Sequence, residues 1–196
     1  PETEVVAELA LAEVDRVAVG RTDSPVRVAD LGTGSGAIGL SIAAERTGTR
    51  VWCTDVSLDA LAVARANCAG LGQPAQRVTL AEGSWFEALP TELESSFDVV
   101  VANPPYVDRA GDLPVEVVGW EPAESLFADR DGRADLEALV DGAQTWLTPG
   151  GALVLEMSPD QVGDLAARAR EVGFDEVEIH LDLTGRDRVM VARSAR

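Results

Sequence analysis

Short apolar runs alternate with longer helical patterns along most of this chain of 196 residues. Runs such as VRVADL (26–31) and FDVVVA (97–102) are typical of buried strands. Strands that alternate with helices predict a parallel sheet that is covered by helices on both faces. The sequence therefore predicts an α/β fold with a doubly wound, mostly parallel sheet.

The predicted elements cover most of the chain. Seven strands are predicted. Five of them lie at 26–31, 50–55, 77–83, 97–102 and 152–157, and the last two lie within 176–193 and are joined around Gly185. Five helices are predicted, from Thr3 to about Val19 and at 36–46, 57–72, 133–147 and 160–172. TPGG (148–151) is predicted to be a turn before the fifth strand, and the closing hairpin supplies one antiparallel strand. The piece without a pattern, 107–132, is long enough to predict a functional or disordered loop.

Composition is that of a single globular domain, with 46% hydrophobic and 26% charged residues. No apolar run is long enough to cross a bilayer. Cys53 and Cys68 lie in core-like contexts and are expected to be small buried hydrophobes in a reducing cytoplasm. His180 is the only histidine, so a histidine-based metal site is not expected.

The net charge is −18, and all 16 basic residues are arginine. A chain this acidic repels phosphate backbones, which counts against nucleic acid as a partner. Two interpretations of the charge remain open: a solvated acidic surface, or a surface for a basic protein.

A glycine-rich turn after the first strand marks the predicted ligand site. Gly32, Gly34 and Gly36 allow a tight turn and a close backbone approach to a ligand. The next helix begins just afterwards and points its free N–H groups into that space. Asp55 ends the second strand about twenty residues on, where a carboxylate accepts both hydroxyls of a ribose. These features predict a nucleoside-containing cofactor.

NPPY (103–106) follows the fourth strand, beside the predicted cofactor crevice. Its prolines remove two N–H donors and leave backbone carbonyls free to accept hydrogen bonds. Asn103 adds an amide oxygen and Tyr106 adds a flat ring, a combination that suits a planar NH₂ group with two N–H bonds to donate. The glycine turn also satisfies the dinucleotide pattern through Ala37, so NAD is the alternative, and NPPY favours an amino-group substrate instead.

These residues resemble the class I S-adenosylmethionine-dependent methyltransferases, a Rossmann-like family. They are most similar to the HemK type, the glutamine N5-methyltransferases that modify peptide chain release factors. The resemblance runs over essentially the whole chain, and it is carried by PETE (1–4), DLGTGSGAIGLSIA (30–43), Asp55, GSWF (83–86), NPPY (103–106), WEPAESLFADRDGRADL (120–136), TPGGALVLEM (148–157) and GFDEVEIHLDLTGRDRVMVAR (173–193).

The motifs differ in how specifically they identify a branch of the methyltransferases. The glycine turn is shared by every class I methyltransferase, whereas NPPY restricts the resemblance to enzymes that methylate a planar nitrogen, including adenine N6. PETE (1–4) and the region 120–136 point to the glutamine branch.

The resemblance implies a role for each matching residue. The turn would hold the methionine part of S-adenosylmethionine and Asp55 its ribose, while Trp85 would border the adenine. Ser84 stands where relatives often carry an acid, which implies a weaker contact with the adenine amino group. The implied cofactor-binding residues are Gly32, Thr33, Gly34, Ser35, Gly36, Asp55, Trp85 and Asn103; the implied substrate-binding residues are Asn103, Pro104, Pro105 and Tyr106, with Asn103 and Tyr106 catalytic.

HemK-type enzymes also carry an amino-terminal helical domain that helps to engage the release factor. The present chain begins at Pro1, where that domain would end. We therefore expect residues 1–196 to be a catalytic domain without the amino-terminal recognition domain.

Three functions remain open from the sequence. The first is a glutamine N5-methyltransferase that acts on a protein, most simply a release factor. The second is an adenine-N6 methyltransferase, which NPPY allows and the charge opposes. The third is a non-catalytic module that binds a nucleotide cofactor.

Overall fold

The computed structural model describes residues 2–21, 23–104, 107–108, 127–128 and 133–195. The helices are Glu2–Ala18 (α1), Ala37–Glu45 (α2), Leu58–Gly70 (α3), Arg133–Trp146 (α4) and Val162–Glu171 (α5). The strands are Val26–Leu31 (β1), Thr49–Asp55 (β2), Val78–Glu82 (β3), Phe97–Ala102 (β4), Val107–Asp108 (β5), Phe127–Ala128 (β6), Leu147–Glu156 (β7), Phe174–Leu181 (β8) and Asp187–Ser194 (β9). None of the helices in these ranges is long and apolar enough to cross a membrane.

Seven strands form one sheet in the order β3-β2-β1-β4-β7-β9-β8. The first five pair in parallel, and β9 runs antiparallel to both β7 and β8. The predicted doubly wound sheet with one antiparallel strand near the carboxyl terminus is confirmed. The order reverses between β1 and β4, which is where this architecture places a ligand.

The two faces of the sheet bury separate apolar cores because side chains alternate along each strand. In β4, Val99 and Val101 pack with α1 and α2, whereas Val100 and Ala102 pack with α4 and α5. All six residues of this strand are buried, as its apolar run predicts.

The TPGG prediction is wrong, because 148–151 lies inside a strand. β7 begins at Leu147, opposite Phe97, and the pairing shifts register between Phe97 and Val99. Three long-range contacts hold the irregular part: Thr148 Oγ1 donates to Asp98 Oδ1 (3.0 Å), Gly150 N donates to the carbonyl of Ala195 (2.7 Å), and Ser194 Oγ donates to the Thr148 carbonyl (2.9 Å). A turn sequence is thereby held as a bulged strand.

The predicted loop 107–132 lies mostly outside the described residues. Within it, β5 and β6 pair in parallel, with Val107 opposite Phe127 and Asp108 opposite Ala128.

A buried ion pair fastens α1 to the sheet. Glu13 is only 4% exposed, and its carboxylate accepts from Arg193 Nη2 (2.7 Å) and Arg16 Nε (2.6 Å). Burial opposes ionisation of Glu13, but the hydrogen bonds from Arg193 and Arg16 outweigh it and lower its pKa. Arg16 also donates to the Gly150 carbonyl (2.8 Å), so the same helix reaches β7.

We predict that Glu13→Ala destabilises the fold by about 2 kcal/mol, because it removes the charged acceptor of the hydrogen bonds from Arg193 and Arg16. Glu176→Ala is the matched control, since Glu176 binds the same Arg193 (2.9 Å) with a side chain that is 66% exposed. Urea unfolding should show a clearly larger loss for Glu13→Ala. Equal losses would mean that burial does not strengthen the pair.

Candidate active site

The glycine turn after β1 forms the floor of the crevice at the carboxyl edge of the sheet. Gly32, Gly34 and Gly36 have φ values of 70°, 58° and 86°, which favour glycine. Thr33 N donates to the carbonyl of Thr54 in β2 (2.8 Å), which fastens the turn to the neighbouring strand. A Cβ atom on Gly34 would meet nothing within 4 Å, so this side of the turn borders open space.

Asp55 is fixed by two backbone donors. Its Oδ2 accepts from Gly34 N (2.8 Å), and its Oδ1 accepts from Ser57 N (2.8 Å) just before α3. A carboxylate offers about four acceptor positions, so each oxygen keeps one for a further donor. The predicted ribose acceptor and the glycine turn are therefore in direct contact.

Asp30 is a site residue that the sequence analysis missed. It is fully buried, and its Oδ2 accepts from Thr33 Oγ1 and from Gly39 N (2.9 Å). The pKa of Asp30 is raised to about 6, mainly by burial, and the hydrogen bonds from Thr33 and Gly39 oppose this rise. The sequence signal that could have identified Asp30 was an acid next to the last residue of an otherwise buried strand. A buried carboxylate needs hydrogen-bond partners, so an acid at such a position indicates specific contacts.

Gly39 allows α2 to lie directly on β1 and β2. A Cβ atom there would stand 2.5 Å from Cys53 Sγ and 2.8 Å from Asp30 Oδ2. Both Cys53 and Cys68 are buried and free, as predicted, and burial raises the pKa of the Cys53 thiol.

Ser35 lies on the outer side of the turn. Its carbonyl accepts from Asn67 Nδ2 of α3 (2.9 Å). With Gly36 it borders a groove of about 280 Å³ between α2 and α3. The backbone of Ser35 thus helps to hold the turn against α3.

Trp85 packs on the first glycine of the turn. A Cβ atom on Gly32 would lie 2.9 Å from Cζ3 of the indole, and the indole N–H donates to Asp135 Oδ1 of α4 (3.0 Å). Trp85 also has a positive φ of 42°, which is uncommon for a bulky residue. Its ring therefore borders the crevice and joins the turn to α4.

Asn103 follows β4 at the next strand end. Because Ala102 pairs with Leu31, Asn103 stands beside Gly32 across the two strands. Its Nδ2 lies 3.5 Å from Thr3 Oγ1 of α1. Pro104 is buried, whereas Pro105 and Tyr106 lie outside the described residues.

The described site thus joins two acids, a glycine turn, an aromatic ring and an amide at the ends of four neighbouring strands. Residues 16–118 match the family model described as the methyltransferase small domain. The chain belongs to the methyltransferase small domain family.

The curated relatives of this chain are also named as methyltransferases. The release factor glutamine methyltransferase of Burkholderia pseudomallei is 41% identical over 98% of this chain and 66% of its own length. The protein of the same name from Neisseria gonorrhoeae is 40% identical over 98% of this chain and 67% of its own length. The chain therefore spans about two thirds of the length of the curated relatives it matches. The resemblance found in the motifs is confirmed.

Solved methyltransferases share the fold. A methyltransferase from Pyrococcus furiosus superposes with a TM-score of 0.65 at 18% identity, over 94% of this chain and 83% of that chain. The predicted role of each site residue in this methyltransferase domain stays a prediction.

We predict that Gly39→Ala destabilises the domain by about 1–3 kcal/mol, because the added methyl group overpacks a contact with Cys53 and Asp30. Gly163→Ala is the matched control in α5, where a Cβ atom meets nothing within 4 Å. Ala is a better helix former than Gly, so the control should be neutral or slightly stabilising. Thermal unfolding of both variants checks the prediction, and a Gly39→Ala protein as stable as the control would contradict it.

Proposed function

We propose that this chain is the catalytic domain of an S-adenosylmethionine-dependent methyltransferase that modifies the side-chain amide nitrogen of a glutamine in a protein. The position of Asn103 carries the proposal, because an amide followed by two prolines ends the strand beside the glycine turn. The names of the relatives support a peptide chain release factor as the protein substrate.

The described residues fit the proposed cofactor. Gly34 borders open space at a positive φ, which leaves room for a ligand close to the backbone. Asp55 is oriented by two N–H groups and keeps acceptor positions for two hydroxyls. Asp55 and the turn would hold the ribose and the amino acid part. When bound, S-adenosylmethionine supplies an electrophilic methyl group on a positively charged sulfur.

The main task of this chain is then alignment. An amide nitrogen is a poor nucleophile because its lone pair is delocalised over the carbonyl. Holding the glutamine nitrogen in line with the methyl carbon and the sulfur, at near-attack distance, supplies much of the rate enhancement. In our proposal, Asn103 Oδ1 and the Pro104 carbonyl accept the two N–H bonds of the glutamine and fix its nitrogen.

These acceptors also favour the transition state. In the proposed transfer the new N–C bond would form as the C–S bond of the cofactor breaks, so positive charge would grow on the glutamine nitrogen. Acceptors at its N–H groups therefore bind the transition state more strongly than the ground state. The alkylated nitrogen is far more acidic than the amide and loses its proton to water, so no strong base is required. His180, the only histidine, lies on β8, three strands from β4 in the sheet.

The substrate is tested by incubating the chain with labelled S-adenosylmethionine and either a bacterial release factor or duplex DNA. We expect label in the release factor, and peptide mapping should place it on a glutamine side chain. Label in DNA alone would overturn the proposed substrate and favour adenine N6. Binding of S-adenosylmethionine without transfer to either would favour a non-catalytic cofactor-binding module.

We predict that Asp55→Ala weakens S-adenosylmethionine binding by roughly 1–3 kcal/mol, because it removes charge-assisted hydrogen bonds to the ribose. Glu82→Ala is the matched control, since Glu82 is an exposed acid that pairs with Asp55 at the end of β3. Calorimetry should show near wild-type affinity for the control and no binding of NAD to the wild type. Tight NAD binding without S-adenosylmethionine binding would refute the cofactor assignment.

We predict that Asn103→Ala lowers kcat by on the order of 10²–10³ and leaves a folded protein that binds S-adenosylmethionine, because one transition-state acceptor is lost. Single-turnover transfer to the glutamine substrate measures the effect, with calorimetry as the control for cofactor binding. A variant that keeps wild-type turnover would show that NPPY is only a turn.

Tyr106→Ala is the companion change in the same motif. If Tyr106 provides a stacking surface for the amide, its loss should raise KM for the protein substrate as well as lower kcat.

A further inference from the structure

We propose that Thr3 is a positioning residue for the reaction, which it serves by orienting the side-chain amide of Asn103. This inference rests on the proposed function, because it concerns the amide that we propose holds the glutamine nitrogen. The observation behind it is the contact between Asn103 Nδ2 and Thr3 Oγ1 at 3.5 Å, made by two residues 100 positions apart in the sequence.

The side-chain amide of an asparagine has two chemically different ends, an oxygen and an NH₂ group. Its oxygen accepts hydrogen bonds, and its NH₂ group donates two of them. Rotation by half a turn about the last side-chain bond exchanges the two, with little change in shape. The glutamine NH₂ group needs an acceptor, so only one orientation of Asn103 serves the proposed reaction. In the structure it is the nitrogen, and not Oδ1, that contacts the Thr3 hydroxyl.

The helix that carries Thr3 is held firmly in place. Val6 and Ala10 of α1 are fully buried in one core of the sheet. Glu13 then binds Arg193 of β9, and Arg16 reaches the Gly150 carbonyl of β7. Since the helix is fixed at these points, its first turn presents Thr3 to the end of β4 at a defined position. Fixed supporting groups of this kind are what hold a reacting group in productive geometry.

The 3.5 Å separation is long for a hydrogen bond. Hydrogen bonds of catalytic groups are often long without ligands and shorten in the complex. The contact of the Thr3 hydroxyl with Nδ2 favours this orientation of the amide, and we expect it to shorten when the glutamine binds to Oδ1.

The test compares Thr3→Val with Thr3→Ser. Valine keeps the branched shape and removes the hydroxyl, so we expect kcat on the glutamine substrate to fall roughly three- to tenfold, the effect of one neutral hydrogen bond. KM and the affinity for S-adenosylmethionine should stay near wild type. Serine restores the hydroxyl and should restore most of kcat. Thr79→Val repeats the substitution at an exposed position of β3 and should leave kcat unchanged.

The Thr3→Val, Asn103→Ala double variant distinguishes an effect that acts through Asn103 from an effect of Thr3→Val on the rest of the protein. If Thr3 acts through Asn103, then Thr3→Val should have little further effect in an Asn103→Ala background. Independent, multiplying effects of the two substitutions would overturn the inference. So would a Thr3→Val protein with wild-type kcat, or a Thr3→Ser protein as impaired as Thr3→Val.

A measurement that does not require catalysis tests the role of Thr3 independently of the proposed function. The side-chain NH₂ signals of Asn103 in a ¹⁵N-correlated NMR spectrum should shift and exchange faster with water in Thr3→Val, but not in Thr79→Val. Unchanged signals would overturn the positioning role. If the wild type methylates no glutamine, the proposed function fails, and the NMR result alone decides whether Thr3 orients Asn103.

Discussion

One buried carboxylate oxygen, Oδ2 of Asp30, ties together the three parts on which the site depends. It accepts from Thr33 in the turn and from Gly39 in α2, while its own backbone lies in the central strand β1. A buried acid is costly to leave without partners, so strand, turn and helix are held in one arrangement. The direction of the turn relative to Asp55 and Asn103 follows from that arrangement, because both residues stand at the ends of strands that pair with β1.

The strands and helices could be predicted because their signals are local. β1 and β4 begin and end where their apolar runs do, and the strands near the carboxyl terminus were expected on both sides of Gly185. The start of β7 could not be predicted in this way. Thr148 and Gly150 are held in a strand by Asp98 and Ala195, and local turn propensity gives no information about partners so far along the chain.

The residues of the candidate site also fall into two groups, those that the sequence predicts and those whose contacts depend on distant partners. Asp55 and the glycine turn were found because a parallel sheet brings strand ends together, and their contact through Gly34 N follows from that geometry. Asp30 was missed because its importance depends on which α2 residue lies over it. The bond from Trp85 to Asp135 joins residues 50 positions apart, and the contact between Thr3 and Asn103 joins residues 100 positions apart. Pairings of that kind depend on how helices pack on the sheet, which the sequence does not specify residue by residue.

An amide at the end of β4 is well suited to the proposed reaction for an electrostatic reason. In the proposed reaction the sulfonium of S-adenosylmethionine would already be positive, and its charge would move toward the glutamine nitrogen as the methyl group is transferred. A carboxylate at position 103 would also attract the charge on the sulfur before reaction, and the part of that attraction that both states share does not raise kcat. In our proposal the neutral Asn103 would act mainly through its hydrogen bond to the glutamine nitrogen, which would strengthen as the charge arrives there. Asp55 stands at the end of β2, on the other side of β1 from β4, where in our proposal it serves binding through the ribose instead. The different roles that we propose for Asn103 and Asp55 thus correspond to the different strand ends at which the two residues lie.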